Sequence, residues 1–447
     1  MSMLSPLVAE ESRHEGLRVH VFPSRCTSAT HAYRAALGPR TMIAPPNAPA
    51  MVGQGEALTL TGDVQEITRA AKSLGRKAAE SAGEMRFLGG LAFDPRAELG
   101  GAWRGFPVGH FVCPRLSWRA PSDGHPARIV MVAGAHESRA DLEAEVAAFE
   151  ARAARVALPA AQSVHATLAV AAASSTVLED IEEETRAAWH RLVTAATQTI
   201  RDGALEKVVA ARSVRAERVG AFDTAALIDA LGETPATRFA LDIAGATFLG
   251  ASPELLVHKS GTAVRTEALA GSEPRTGQSD AQEIERLLAS QKDRQEHRFV
   301  VRAIEQALGP FMCTLHVPAT PQVRTLPTVH HLQRSIEGVL ARDVHVLELV
   351  SALHPTPAVC GTPRERAREW LREHEGLERG YYAGPVGWFD GHGDGELRVA
   401  LRSALVRDNQ AWLFGGAGLV AASDPEREWV EVEAKLQVMK RALGVAR

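Results

Sequence analysis

The chain has 447 residues, 23% of them charged and 45% apolar, with a formal net charge of −4. That length suits one large domain or several small ones, and the composition excludes a mainly disordered chain. With 54 acidic against 50 basic residues, no basic excess favours nucleic acid or an anionic membrane surface, and neither is expected as a partner.

The first residues, MSMLSPLVAEESRHEG, carry neither a basic n-region nor an apolar h-region, so no secretory signal is expected and the cytoplasm is the default location. Thr41–Gly55 reads as a loop, because its Pro, Gly and Asn residues interrupt any period. Arg139–Ala157 has a helical pattern. The uncharged stretch behind it, Val156–Leu178, contains Pro159, Gln162, Ser163, His165, Ser174, Ser175 and Thr176, too polar a load for a bilayer-spanning helix. It marks the expected boundary between an N-terminal lobe, residues 1–160, and a C-terminal catalytic region, residues 180–445. Cys26, Cys113, Cys313 and Cys360 lie far apart with no CxxC pair, which argues against a disulfide framework or a structural zinc site.

Asp180–Asp202 reads as a helix ended by Gly203, and Lys207–Val214 as a strand. Arg238–Leu249 and Thr262–Ala270 read as further strands, and Ser279–Leu308 as one long helix stopped by Gly309-Pro310. Tyr381–Asp390, Glu396–Val406 and Trp412–Val420 read as strands joined by the turns GHGDG and RDNQ. A capping box with an early proline, Ser423-Asp424-Pro425-Glu426, opens a last helix that runs to about Leu443. Strands beside strands, with helices between some of them, predict an α+β sandwich rather than a doubly wound parallel sheet.

Two of these helices carry acidic pairs three residues apart, Asp293 with Glu296 and Glu428 with Glu431, so each pair projects from one helix face. Glu296 is in register with Val300, Ala303 and Ala307. Glu428, Glu431 and Lys435 form a stripe beside the apolar Trp429, Val432, Leu436 and Met439. If both pairs point inward they need a cation between them, and oxygen ligands without thiols or histidines favour magnesium; spacing alone leaves both open as solvated carboxylates. Lys207 alternates with apolar Val209 and Ala211, and a lysine pointing into a core gives up its proton more readily, while one at a strand end can also snorkel to water. Glu254 follows a strand, as an exposed turn carboxylate also would. Arg402 alternates with Arg398 opposite Leu397, Val399 and Leu401, which gives that strand a cationic face suited to a carboxylate, or an edge-strand surface charge. The runs Leu269–Ser272 and Gly415–Leu419 can present bare backbone N–H groups to an anion or serve as turns. His331 is either a polar contact in a pocket or a core histidine.

The ordered series KVVAARS, FLGASPELL, TEALAGS, KDRQEH, LPTVHHL, ALHPTPAVCGTP, RGYYAGPVGW, ELRVALRSA, FGGAGLVAASDP and EWVEVEAK resembles the chorismate-utilising enzymes: isochorismate synthases, salicylate synthases and the large subunits of anthranilate and aminodeoxychorismate synthases. The resemblance covers about Lys207 to Lys435 and weakens in the first 180 residues. It implies a single large two-lobed α+β domain, with two central, mainly antiparallel sheets flanked by helices and a magnesium site inside. It further implies Glu296 and Glu431 as metal ligands, supported through water by Asp293 and Glu428. Lys207 becomes the base that activates water and Glu254 the acid that protonates the leaving hydroxyl. Tyr382, Arg402, Gly416, Gly418 and Lys435 match substrate-carboxylate positions, and Gly271, Ser272 and His331 match positions lining the pocket.

Within the group, members that add ammonia commonly carry glutamine at the position of Lys207, and the aminodeoxychorismate type carries a lysine where this chain has Ala270. RTEALAGS and HPTPAVCGTP look more like isochorismate than salicylate synthases. The resemblance therefore implies an isochorismate synthase, whose product feeds menaquinone or catecholate siderophore synthesis, with no obligatory amidotransferase subunit. A salicylate synthase, which goes on to eliminate pyruvate, is the nearest alternative.

Overall fold

The computed structural model describes residues 17–445 apart from 47, 78–80, 123, 158–175, 179–181, 233–234, 276–278 and 327–328. Residues 158–175 of the uncharged stretch behind the Arg139–Ala157 helix and the expected helix start at Asp180 lie outside the described residues; the helix is described over Glu182–Arg201.

Two antiparallel sheets form the centre. The first runs, in spatial order, through Leu17–Pro23, Arg128–Gly134, Leu116–Arg119, Met51–Gln54, Arg40–Ala44, Thr237–Ile243, Ala246–Ser252, Ser403–Arg407, Gln410–Leu419, Lys207–Glu217 and Gly361–Thr362, and Val177–Leu178 also pairs with the Lys207 strand. The second runs through Met312–His316, Val329–Leu340, Ala263–Pro274, Leu255–Ser260, Gly395–Val399, Pro385–Asp390, Arg86–Leu91, Gly109–Cys113 and Leu58–Thr61. Strands from the first 134 residues thus enter both sheets. Helices flank them: Pro425–Ala442 packs on the Gln410–Leu419 strand, and Gln291–Leu308 packs on Ala263–Pro274.

The sequence explains these two helices. Gln291–Leu308 buries His297, Val300, Val301, Ile304 and Leu308 on one face, and Ser290 caps it by accepting from the Asp293 amide, a bond that satisfies one of the free N–H groups of the first turn. Pro425–Ala442 starts with proline at its first position, is capped by Asp424, and buries Trp429, Val432, Leu436 and Met439.

Four expected elements differ. Arg238–Leu249 is two strands, Thr237–Ile243 and Ala246–Ser252, turned at Ala244 and Gly245 with φ of 49° and 72°; an alanine in the first of two left-handed turn positions hides the hairpin from a reading that looks for Asn-Gly or Gly-Gly. Ser279–Leu308 is two helices, because Ser290 at ψ 116° leaves the helical region to cap the second. Thr41–Gly55 holds the pair Arg40–Ala44 and Met51–Gln54, with the prolines confined to the connection. Glu396–Val406 breaks after Val399, since the chain passes there from the second sheet to the first.

Candidate active site

That passage has a counterpart. The chain also changes sheets between Ala246–Ser252 and Leu255–Ser260, with Glu254 in the connection. The two connections are bonded together: the Val399 amide donates to Glu254 O at 3.1 Å, the Ala251 amide to Arg402 O at 3.2 Å, and Ser252 Oγ to Val399 O at 2.5 Å. Arg402 sits at φ 50°, a left-handed backbone uncommon for a non-glycine residue. The crossing therefore places a carboxyl and a guanidinium in the gap between the sheets. Arg398 is not part of this arrangement; it pairs with Glu396 at 2.9 Å within the second sheet, so the two arginines do not share the cationic strand face that their alternation predicts.

Around the crossing lies a buried cavity of about 60 Å³, lined among others by Glu254, Gly271, Ser272, Glu296, His331 and Tyr382. Arg402, Gly416, Gly418, Glu431 and Lys435 complete its wall. Lys207 adjoins it, 0% exposed, with Nζ 2.9 Å from Glu296 Oε1. Of the remaining predicted residues, Asp293 accepts from the Ser272 amide at 3.1 Å, and Glu428 lies behind the cavity, its Oε1 accepting from Lys292 Nζ at 2.6 Å.

Burial, with the charge of Glu267 adding to it, raises the Glu254 carboxyl to about 8 against the opposing pull of Lys207, Arg402 and Lys435. Glu254 is 4% exposed and is thus a neutral acid at pH 7. His331 is pushed down to about 3 by burial and then by Arg402 and Lys435, which leaves a neutral ring whose Nε2 stands 3.5 Å from Arg402 Nη2. Burial pushes the Tyr382 hydroxyl up to about 12.

Each acid on the two helices is engaged. Glu296 meets Lys207; Glu431 Oε1 accepts from Lys435 Nζ at 2.6 Å and from Ser272 Oγ at 2.9 Å; Glu428 meets Lys292. Although burial opposes it, Lys435 and Lys292 hold the Glu431 carboxyl well below the usual range, while burial and the neighbouring Glu431 push Glu428 up. The side-chain oxygens of these acids do not converge as a trio within 4.8 Å; among the described residues that spacing occurs only at Asp280, Glu283 and His330, where Arg275 grips Asp280 at 2.7 and 2.8 Å.

The set nevertheless suits a hard divalent ion. Every donor is a carboxylate oxygen, and Glu428 Oε2 is buried with no hydrogen-bond partner, a group whose desolvation a cation would offset. Two residues at the site carry no role from the sequence. Lys292 opens the KDRQEH motif. Arg379, in RGYYAG, lines the cavity and donates to Val359 O at 2.8 Å, Val209 O at 2.6 Å and Glu375. Their positions inside the motifs were the available signal; Glu428 and Val209, the partners that place them at the site, lie 136 and 170 residues away.

The chorismate binding enzyme pattern matches residues 31–444. The chain belongs to the chorismate binding enzyme family. It is 43% identical over 269 residues to the salicylate biosynthesis isochorismate synthase of Pseudomonas aeruginosa, a match that covers 59% of this chain and 56% of that protein. It is 34% identical to the isochorismate synthase MenF of Bacillus subtilis, over 80% of this chain and 74% of that one. The solved structure of MenF from Escherichia coli, described as menaquinone-specific, superposes with a TM-score of 0.76 at 28% identity, over 98% of each chain. The chain thus spans little more than half the length of the Pseudomonas relative it matches.

Proposed function

We propose that this protein is an isochorismate synthase, converting chorismate to isochorismate with magnesium bound by Glu296 and Glu431 and supported by Asp293 and Glu428. The observation that carries this reading is that a neutral carboxylic acid, Glu254, lines one cavity together with cationic groups for carboxylates, while Lys207 adjoins that cavity through Glu296, which lines it. Named relatives with this activity support it.

Arg402 and Lys435, with the neutral His331 and the Tyr382 hydroxyl, bind and orient the carboxylates of the substrate. A water adds at C2 and its proton passes to Lys207, which accepts it only as the amine, so the contact with Glu296 is relieved or its proton handed on first. Glu254 gives its proton to the C4 hydroxyl, which leaves as water; one water enters and one departs. A bound magnesium ion would neutralise the carboxylates around it and help to hold the dianion.

Purified protein incubated with chorismate and magnesium should form isochorismate without ammonia. Absence of turnover, or turnover only with an amine donor, rules the reading out. Release of pyruvate would show a salicylate synthase instead.

A further inference from the structure

Lys292 has no part in that chemistry, yet its ammonium sits among the acids. Nζ is 2.6 Å from Glu428 Oε1. The other two lysines are tied to further groups: Lys207 lies on the strand at the cavity, and Lys435 also donates to Gly416 O at 2.8 Å. The two members of the Lys292 pair differ in freedom. The Lys292 side chain is 31% exposed and that of Glu428 only 1%, so the lysine can swing to water and the carboxylate cannot follow.

Four carboxylates with three lysines leave one formal negative charge; without Lys292 two would remain. We infer that Lys292 is an internal counter-cation, holding the acid set together in the metal-free protein and competing with the divalent ion for Glu428. This rests on the proposal that the site takes such an ion. On that view the entering ion displaces the ammonium, which turns outward, and the affinity for metal is set below what the carboxylates alone would give. An ammonium a few ångströms from a divalent ion repels it strongly at the effective dielectric of a partly buried site, so its removal tightens binding. A lysine that merely props the helix would have the opposite effect, since its loss would loosen the ligands.

The test is a manganese titration of the whole protein at low salt, read by electron paramagnetic resonance of the free ion, on wild type, Lys292→Met and Lys292→Arg. The expected result is a Kd at least about tenfold lower in K292M and close to wild type in K292R. An unchanged or higher Kd in K292M overturns the inference while the metal reading stands. No manganese binding by wild type overturns the metal reading, and the inference with it. Should K292M not fold, the wild-type protein labelled with 15N-lysine decides: the Lys292 side-chain signal, assigned by its loss in K292R, shifts on adding magnesium if the ammonium leaves Glu428, and a fixed signal refutes the displacement.

Discussion

The amide of Val399 donates to the carbonyl of Glu254 at 3.1 Å, so the two segments that cross between the sheets are fastened together beside the cavity. One delivers a carboxyl and the other, three residues on, the guanidinium of Arg402. Because both connections are backbone-bonded, the Glu254 carboxyl has little freedom to reach water, and its burial follows from the topology.

Replacing Glu254 with Gln should lower kcat for isochorismate formation by about 10²–10⁴-fold, with the fold kept. On the proposed chemistry the working form is the protonated acid, raised to about 8 by burial and Glu267, so activity should fall as pH rises past about 8. The same shift makes a stability statement. The folded carboxyl holds its proton where the unfolded one, near 4.5, has lost it, so its contribution is complete below about 4.5 and is lost as pH rises towards 8. E254Q should therefore gain in Tm relative to wild type between pH 5 and pH 8, and a constant difference across that range would contradict the assignment.

Gly418→Ala tests the closeness of Lys207 and Glu296. A Cβ there would lie 2.3 Å from Glu296 Oε1 and 3.1 Å from Lys207 Cε, so the pair must move. A drop in kcat of about 100-fold is expected, as for an ångström-scale displacement of reacting groups, with a near-native circular dichroism spectrum. Activity within a few-fold of wild type would show that Lys207 need not sit where it does.

Gly271→Ala strikes the other wall. Gly271 has φ +79°, and a Cβ would come 2.9 Å from Asp293 Cβ and 3.0 Å from Asp293 O. Strain at that backbone alone costs about 1–3 kcal/mol, and the collision pushes on the first turn of the Gln291–Leu308 helix. Both Tm and activity should fall, measured by thermal melting and product formation.

Four histidines, three of them buried and His354 half-buried, set an acid limit. Burial is the leading cause at each: with Arg402 it holds His331 near 3, His354 is likewise held at about 3, and His297 and His345 at about 4. Each is neutral when folded and charged when unfolded below about 6.5, so stability present above 6.5 is lost as pH falls towards 4 and 3. Urea midpoints should decline from pH 6.5 to pH 4, and less steeply in His354→Gln; a flat profile would refute the neutral state of these rings.

Much of the site was legible because its residues come in motifs with local spacing: Asp293 with Glu296, Glu428 with Glu431, and Lys435 one turn on. The sandwich class was legible too, from strand patterns lying side by side. What stayed hidden depends on distant pairing. The break of Glu396–Val406 serves the passage between sheets, which no local period records. The Arg40–Ala44 and Met51–Gln54 hairpin, read as a loop because of its Pro, Gly and Asn residues, lies between two distant partners, Thr237–Ile243 on one side and Leu116–Arg119 on the other. The pairing of Lys292 with Glu428, 136 residues away, likewise leaves no trace in the local sequence.

The interleaving of early and late strands also bears on synthesis. Arg40–Ala44 finds its neighbour in Thr237–Ile243, and Arg86–Leu91 finds its own in Pro385–Asp390. While the ribosome is still making the middle of the chain, both early strands carry unpaired backbone edges, the kind of surface on which nascent chains associate wrongly. Neither sheet can be completed until almost the whole polypeptide has emerged.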